Sequence, residues 1–188
     1  MPRPKRIFER NAIYHVYNRA NNKRGINLTN TTFDYFCSML SELKKKYEIE
    51  IYAYCLMTNH YHLLIKTLQP NLDKFMKEFG QQYAQHINKL LNSDGPVFVS
   101  RYKAKLIHDD AYLLQVFRYI HLNPVEANLV EHFYDYPWSS ATHYLNTTKT
   151  FVDKNFIKKR FMHTKDFIDF VSYRPQAVNV SNFKIWKL

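Results

Sequence analysis

Apolar and polar residues alternate in AIYHVYNR, residues 12–19, with the two-residue period of a strand. From about Thr31 the period changes: Phe33, Phe36, Cys37, Leu40 and Leu43 form a helical stripe, with Thr31 and Asp34 placed as a capping box. IEIYAYCLM (49–57) and HYHLLIKT (60–67) read as two strands, joined closely enough through Thr58 and Asn59 to form a hairpin. Asn71 is placed to cap a second helix, in which Leu72, Phe75, Met76, Phe79, Tyr83, Ile87 and Leu90 keep helical spacing up to the NSDGP break. A fourth strand, VFVSRYKAKLIH (97–108), leads into a third helix starting at Asp109 or Asp110. This order, βαββαβ with an added helix, predicts an α+β fold: a ferredoxin-like antiparallel sheet with helices on one face. Residues 1–150 are expected to form one domain, and 151–188 a basic C-terminal extension.

Composition sharpens the picture at three points. Lys and Arg total 27 against 16 Asp and Glu, a net charge of +11, the balance of a protein that meets a polyanion or simply of a soluble basic protein. No run of eighteen apolar residues occurs, and no apolar segment follows the basic start MPRPKR, so neither export nor a membrane span is expected. Cys37 and Cys55 lie in apolar segments without metal-knuckle spacing, which fits a reducing, cytoplasmic setting.

Candidate chemistry centres on the second hairpin strand. Tyr61, Leu63 and Ile65 share one face, and His60, His62, Leu64 and Lys66 the other. With the helices over the first face, the two imidazoles project from the open one, their Cα atoms about 6–7 Å apart, within reach of one metal ion. Ordinary surface histidines would read the same way. In DDAYLLQVFRYIHLNP (109–124), Leu113, Phe117 and Ile120 make a core stripe, and Tyr112, Gln115, Tyr119 and Asn123 lie along its flank. His121 points nearly opposite Tyr119, whereas Asn123 sits one turn beyond it on the same side. Asn123 precedes Pro124 and is equally placed to cap a short helix starting there.

HYH, with YHVYNRANNK, MTNHYHLLI, SRYKAKLI, RYIHLNPVEANLV and YPWSS in that order, resembles the REP-associated tyrosine transposases, single-tyrosine HUH endonucleases related to insertion-sequence transposases. The resemblance spans roughly residues 8 to 145. It implies a nucleophilic Tyr119, metal ligands His60, His62 and Asn123, and a 5′-phosphotyrosine intermediate that leaves a free 3′-OH. The ion implied is Mg2+ or Mn2+, although two imidazoles alone would suit zinc or nickel. Single-stranded DNA with an adjoining hairpin is the implied substrate, handled by a monomer or homodimer. The chain departs from the family pattern at Glu126 and Asn128, and Asn128 can still take the left-handed conformation of a helix cap. Neutral histidine ligands predict cleavage that declines as pH falls through about 6.5 towards 5.5.

Cations are available to hold DNA. Arg101, Lys103 and Lys105 recur at strand period, a basic stripe that would equally keep an edge strand soluble. Arg19, Arg118, Lys158, Lys159 and Arg160 are further candidates, with Lys154 and the basic head PRPKR, and Tyr52 and Tyr54 are expected to offer exposed rings for unpaired bases. Two other function classes share features with this chain. A non-catalytic RNA- or DNA-binding sheet has the same architecture, but its aromatic consensus is missing. A metal-free 2H phosphoesterase needs His-x-Ser/Thr pairs, and no histidine here is followed at i+2 by Ser or Thr.

Overall fold

The computed structural model describes residues 6–21, 25–26, 29–146 and 150–173. Its elements follow the expected order: β1 (Ile13–Arg19), α1 (Asn30–Lys46), β2 (Ile49–Leu56), β3 (His60–Thr67), α2 (Leu72–Leu90), β4 (Lys103–Ile107) and α3 (Asp110–Glu126). Three short helices then follow, α4 (Ala141–Leu145), α5 (Lys154–Lys158) and α6 (Thr164–Ser172). The four strands form one antiparallel sheet in the order β2-β3-β1-β4, so β1 and β3 are central. Residues 1–5 and the Asn22–Lys23 part of the first family motif lie outside the described residues.

The sheet has a helical layer on each face. Tyr61, Leu63 and Ile65 meet Phe36, Leu40, Phe75 and Phe79 of α1 and α2, as the alternation requires. The opposite face is not open. Leu64, Tyr52 and Ala53 pack with Leu113, Val116, Phe117 and Ile120 of α3. Phe156, Phe167 and Val171, from the C-terminal extension, complete the same apolar cluster. This second layer decides the environment of every candidate residue on β1 and β3.

Several local expectations shift. Thr29, not Thr31, caps α1: its Oγ1 accepts from the Thr32 amide and the Thr32 Oγ1 from the Thr29 amide, the same reciprocal pattern two residues earlier. Asn71 stands at the cap of α2 but turns its amide to the Tyr47 carbonyl instead. Tyr52 and Tyr54 are buried, not exposed: Tyr52 lies on the α3 side, covered by Phe156, and a bulge between Ile51 and Ala53 turns Tyr54 onto the α1 side. β4 is shorter than the apolar run suggested. Before Lys103 the Asn18 carboxamide donates to the Ser100 carbonyl, and the chain leaves the ladder through a bend at Arg101. α3 runs through Pro124, so Asn123 is a helical residue and no cap. The helix closes one turn later: Asn128 N–H donates to the Val125 carbonyl and Leu129 N–H to the Pro124 carbonyl, with Asn128 at φ 53°.

YPWSS, residues 136–140, fastens α3 to the sheet. The Ser140 amide donates to the Tyr54 carbonyl, and the Tyr136 hydroxyl to the Leu56 carbonyl. Ser140 Oγ accepts from the Tyr54 amide at 2.9 Å and donates to His121 Nε2 at 2.8 Å. The His121 Nδ1–H in turn donates to the Phe117 carbonyl, so this buried imidazole is fully partnered as a neutral ring. It points away from Tyr119, as the helical spacing predicted.

Candidate active site

β1, β3 and α3 bring together residues far apart in the chain. Register places Arg19 opposite His60 and Tyr17 opposite His62. Because β1 and β3 are adjacent, His15, Tyr17 and Arg19 share the α3-facing side with His60 and His62. α3 crosses above them and presents Tyr119 and Asn123. The Tyr119 ring stands edge-on to His62 with ring centroids 5.2 Å apart, and to His15 at 6.0 Å. His60 and His62 are themselves edge-on, at 5.1 Å.

The polar atoms of this cluster are arranged as a set of donors for a cation. His60 Nδ1–H donates to Asn59 Oδ1 at 2.8 Å, which leaves the Nε2 lone pair facing Asn123 Oδ1 at 3.1 Å. Two lone pairs at that distance repel unless a cation lies against them or the carboxamide turns over to donate its amide. His62 bonds through Nδ1 to His15 Nε2 at 3.0 Å, and its Nε2 is buried with no partner. An orphaned imidazole nitrogen beside a second imidazole and a carboxamide oxygen fits a divalent ion. Among the described residues no three His, Cys, Asp or Glu side chains are placed to hold a metal ion together, so the carboxamide is needed to make a third ligand.

Burial sets the charge state. His62 is held well below the usual imidazole pKa, first by burial and then by its neighbours His15 and His60. His60 is lowered by burial and by Arg19, with the Asn123 hydrogen bond opposing. Burial pushes His15 down to about 3, with Lys105 adding to the effect. All three rings are neutral at physiological pH, as metal ligation requires. Tyr119 is raised by burial, partly offset by its hydrogen bond to Asn123, so it rests as a phenol.

The candidate cations divide into two groups. Arg19, Lys103 and Lys105 border the cluster: Lys103 Nζ lies 5.8 Å from the Tyr17 ring centroid and Lys105 Nζ 4.7 Å from that of Tyr112. Arg101 is exposed in the bend before β4. Arg118 and Arg160 are engaged elsewhere. Arg118 Nε–H donates to the Phe170 carbonyl with the guanidinium over the Phe170 ring at 4.1 Å, and Arg160 pairs with Asp110 at 2.6 Å and covers Phe156. Both therefore bind the C-terminal helices to α3. Lys158 and Lys159 are exposed at the end of α5, Lys154 donates to the Asn146 carbonyl, and Arg6 of the basic head donates to the Tyr102 carbonyl.

Sequence reasoning missed His15 and Tyr17. The signal was the β1 alternation itself: in this strand order β1 neighbours β3, so polar-face residues of the two strands must meet.

The chain is similar to known proteins in sequence and in fold. Residues 9–123, more than half of the chain, match the family model of IS200-like transposases. The structure of a REP-associated tyrosine transposase bound to a REP hairpin superposes with a TM-score of 0.65 at 18% identity, over 77% of this chain and 86% of that one. A crystal structure of a putative transposase from Deinococcus radiodurans R1 aligns with a TM-score of 0.44 at 17% identity, over 63% of this chain and 95% of that one. No curated protein matches the sequence.

Proposed function

This chain belongs to the family of IS200-like transposases, and on that footing we propose that it is a metal-dependent single-stranded DNA endonuclease and strand transferase with Tyr119 as nucleophile. One observation carries the reading: a half-buried phenol lies edge-on to an imidazole whose Nε2 has no partner, next to a second imidazole facing a carboxamide oxygen. His60, His62 and Asn123 would hold Mg2+ or Mn2+, whose chemistry there is to polarise a non-bridging phosphate oxygen and orient the phosphate.

The protein's own residues do the rest. Tyr119 keeps its proton at rest, because burial disfavours the phenolate. As its oxygen bonds to phosphorus, the phenolic proton leaves, the P–O3′ bond breaks, and the departing 3′ oxygen takes up a proton. The product is a 5′-phosphotyrosine and a free 3′-OH. Attack of another 3′-OH on that phosphotyrosine reverses the bond changes and restores the phenol without a nucleotide cofactor. The rigid α3, fastened through His121 and Ser140, fixes the approach of Tyr119. Arg19, Lys103 and Lys105 take backbone phosphates along the border of the site.

Single-stranded DNA with an adjoining hairpin is the proposed substrate; the REP hairpin in the similar solved structure supports it. A purely nucleic-acid-binding sheet is disfavoured, because Tyr52 and Tyr54, the rings it would use, are buried under helices. Labelled single-stranded DNA from beside the gene, incubated with Mg2+ or Mn2+, should give a cleaved strand with a 3′-OH and a detergent-resistant protein adduct. Loss of both in excess chelator supports the reading. Tight binding without cleavage in either metal would replace it with the binding module.

A further inference from the structure

His15 has no part in the chemistry above, yet it makes the closest polar contact of any residue with His62. Its Nε2 lies 3.0 Å from His62 Nδ1, with the rings stacked at 5.1 Å and 28° between planes. Both side chains are buried, at 7% and 1% exposure. One proton serves this contact, and which nitrogen owns it decides what His62 can do.

Two assignments are possible for neutral rings. If His15 Nε2–H donates, His62 Nδ1 is the acceptor and His62 must carry its proton on Nε2. That proton would be a buried donor without an acceptor, since His62 Nε2 has no partner. If instead His62 Nδ1–H donates, Nε2 is a bare lone pair on a ring that stands edge-on to His60 at 5.1 Å. His15 then keeps its proton on Nδ1, which is not among the sealed, unpartnered atoms. The second assignment leaves no orphaned N–H.

We propose that His15 is a positioning residue: its Nε2 accepts the Nδ1–H of His62 and so fixes the tautomer and ring orientation in which His62 Nε2 can ligate a metal ion. The placement follows from the fold. β1 and β3 are neighbours, His15 stands opposite Leu64 and Tyr17 opposite His62, and the imidazole of His15 reaches diagonally to His62. Outer partners of this kind orient metal-binding imidazoles and raise their basicity. The inference rests on the metal-site reading above, but the tautomer can be measured with no metal present.

The test compares the parent protein with His15→Phe, which keeps a ring of similar volume but no acceptor, and His15→Gln, whose side-chain carbonyl reaches the position of Nε2. Long-range nitrogen–proton NMR correlations on metal-free protein should show His62 as the Nδ1–H tautomer in the parent and in His15→Gln. His15→Phe should give a mixed or Nε2–H population. Calorimetric titration with Mn2+ should show affinity about 10-fold weaker in His15→Phe, with His15→Gln close to the parent. An Nε2–H tautomer in the parent overturns the proposal. So does equal Mn2+ affinity in parent and His15→Phe. Should the parent bind no Mn2+ while His62 is still the Nδ1–H tautomer and changes in His15→Phe, the positioning role stands and the metal reading fails.

Discussion

Replacing His60 and His62 separately should give unequal losses of stability. The hairpin pattern alone put both imidazoles on an open face, where truncation would cost little. The structure seals His62 at 1% exposure between His15 and the Tyr119 ring, and leaves His60 half-buried. His62→Ala therefore opens a cavity and strips His15 Nε2 of its partner, together about 3 kcal/mol. His60→Ala removes a ring whose partners, Asn59 and Asn123, are side-chain carboxamides able to rearrange, and should cost about 1 kcal/mol. With a urea slope of about 2 kcal/mol/M, the two midpoints should differ by about 1 M. Urea unfolding of both variants, followed by far-ultraviolet circular dichroism, measures that gap. Coincident midpoints would refute the sealed second face. Both variants should still fail to cleave DNA, so His60→Ala is the cleaner test of ligation.

The buried histidines also make stability depend on pH. His121 and His15 have folded pKa values of about 4 and about 3, below the unfolded 6.5, so the unfolded chain binds protons first and stability falls as pH drops below 6.5. The expected slope is about 1.4 kcal/mol per pH unit for each, and urea midpoints that stay level from pH 7 to pH 5 would contradict it. Burial likewise moves the acid limb of cleavage below the range expected from exposed histidines, so half-loss should come at a pH below 6.5, and half-loss near 6.5 would mean the ligands are solvated. Lys103→Ala combined with Lys105→Ala should lower the slope of log affinity against log salt by about 1.4 for single-stranded DNA, whereas an unchanged slope would reduce these lysines to keeping the edge strand soluble. Arg118→Ala should lower the melting temperature and leave that salt slope unchanged, since its guanidinium holds the Phe170 carbonyl and ring; a reduced slope would return it to the DNA surface.

Much of the frame was legible because alternation and helical spacing depend only on local burial. The βαββαβ order, the Tyr61–Leu63–Ile65 face and the divergence of Tyr119 from His121 all follow from periodicity. What stayed hidden depends on contacts distant in sequence. The second layer over the sheet is built partly from Phe156, Phe167 and Val171, whose periodicity shows an apolar face but not which surface that face covers. One bulged residue moved Tyr54 to the other face, since a single insertion flips the side of everything beyond it, while Tyr52 kept its expected face and is buried because the second layer covers it. Arg118 and Arg160 looked like DNA contacts because charge marks a surface in sequence, while their long stems and planar heads serve packing equally well. His15 was readable only once β1 was placed beside β3.

The central claim is that Tyr119, of the fifteen tyrosines in the chain, carries the DNA. Tyr17 and Tyr112 serve as controls, because Tyr17 is raised first by burial and then by the neighbouring Tyr119 and Tyr112, which puts the three phenols in one neighbourhood. The most direct measurement is mass spectrometry of the detergent-resistant adduct after trimming its DNA with nuclease and digesting the protein. The account predicts a nucleotide remnant on the peptide containing Tyr119, an adduct absent in Tyr119→Phe with DNA binding retained, and an adduct preserved in Tyr112→Phe and Tyr17→Phe. A remnant on any other residue, or an adduct that persists in Tyr119→Phe, would contradict it.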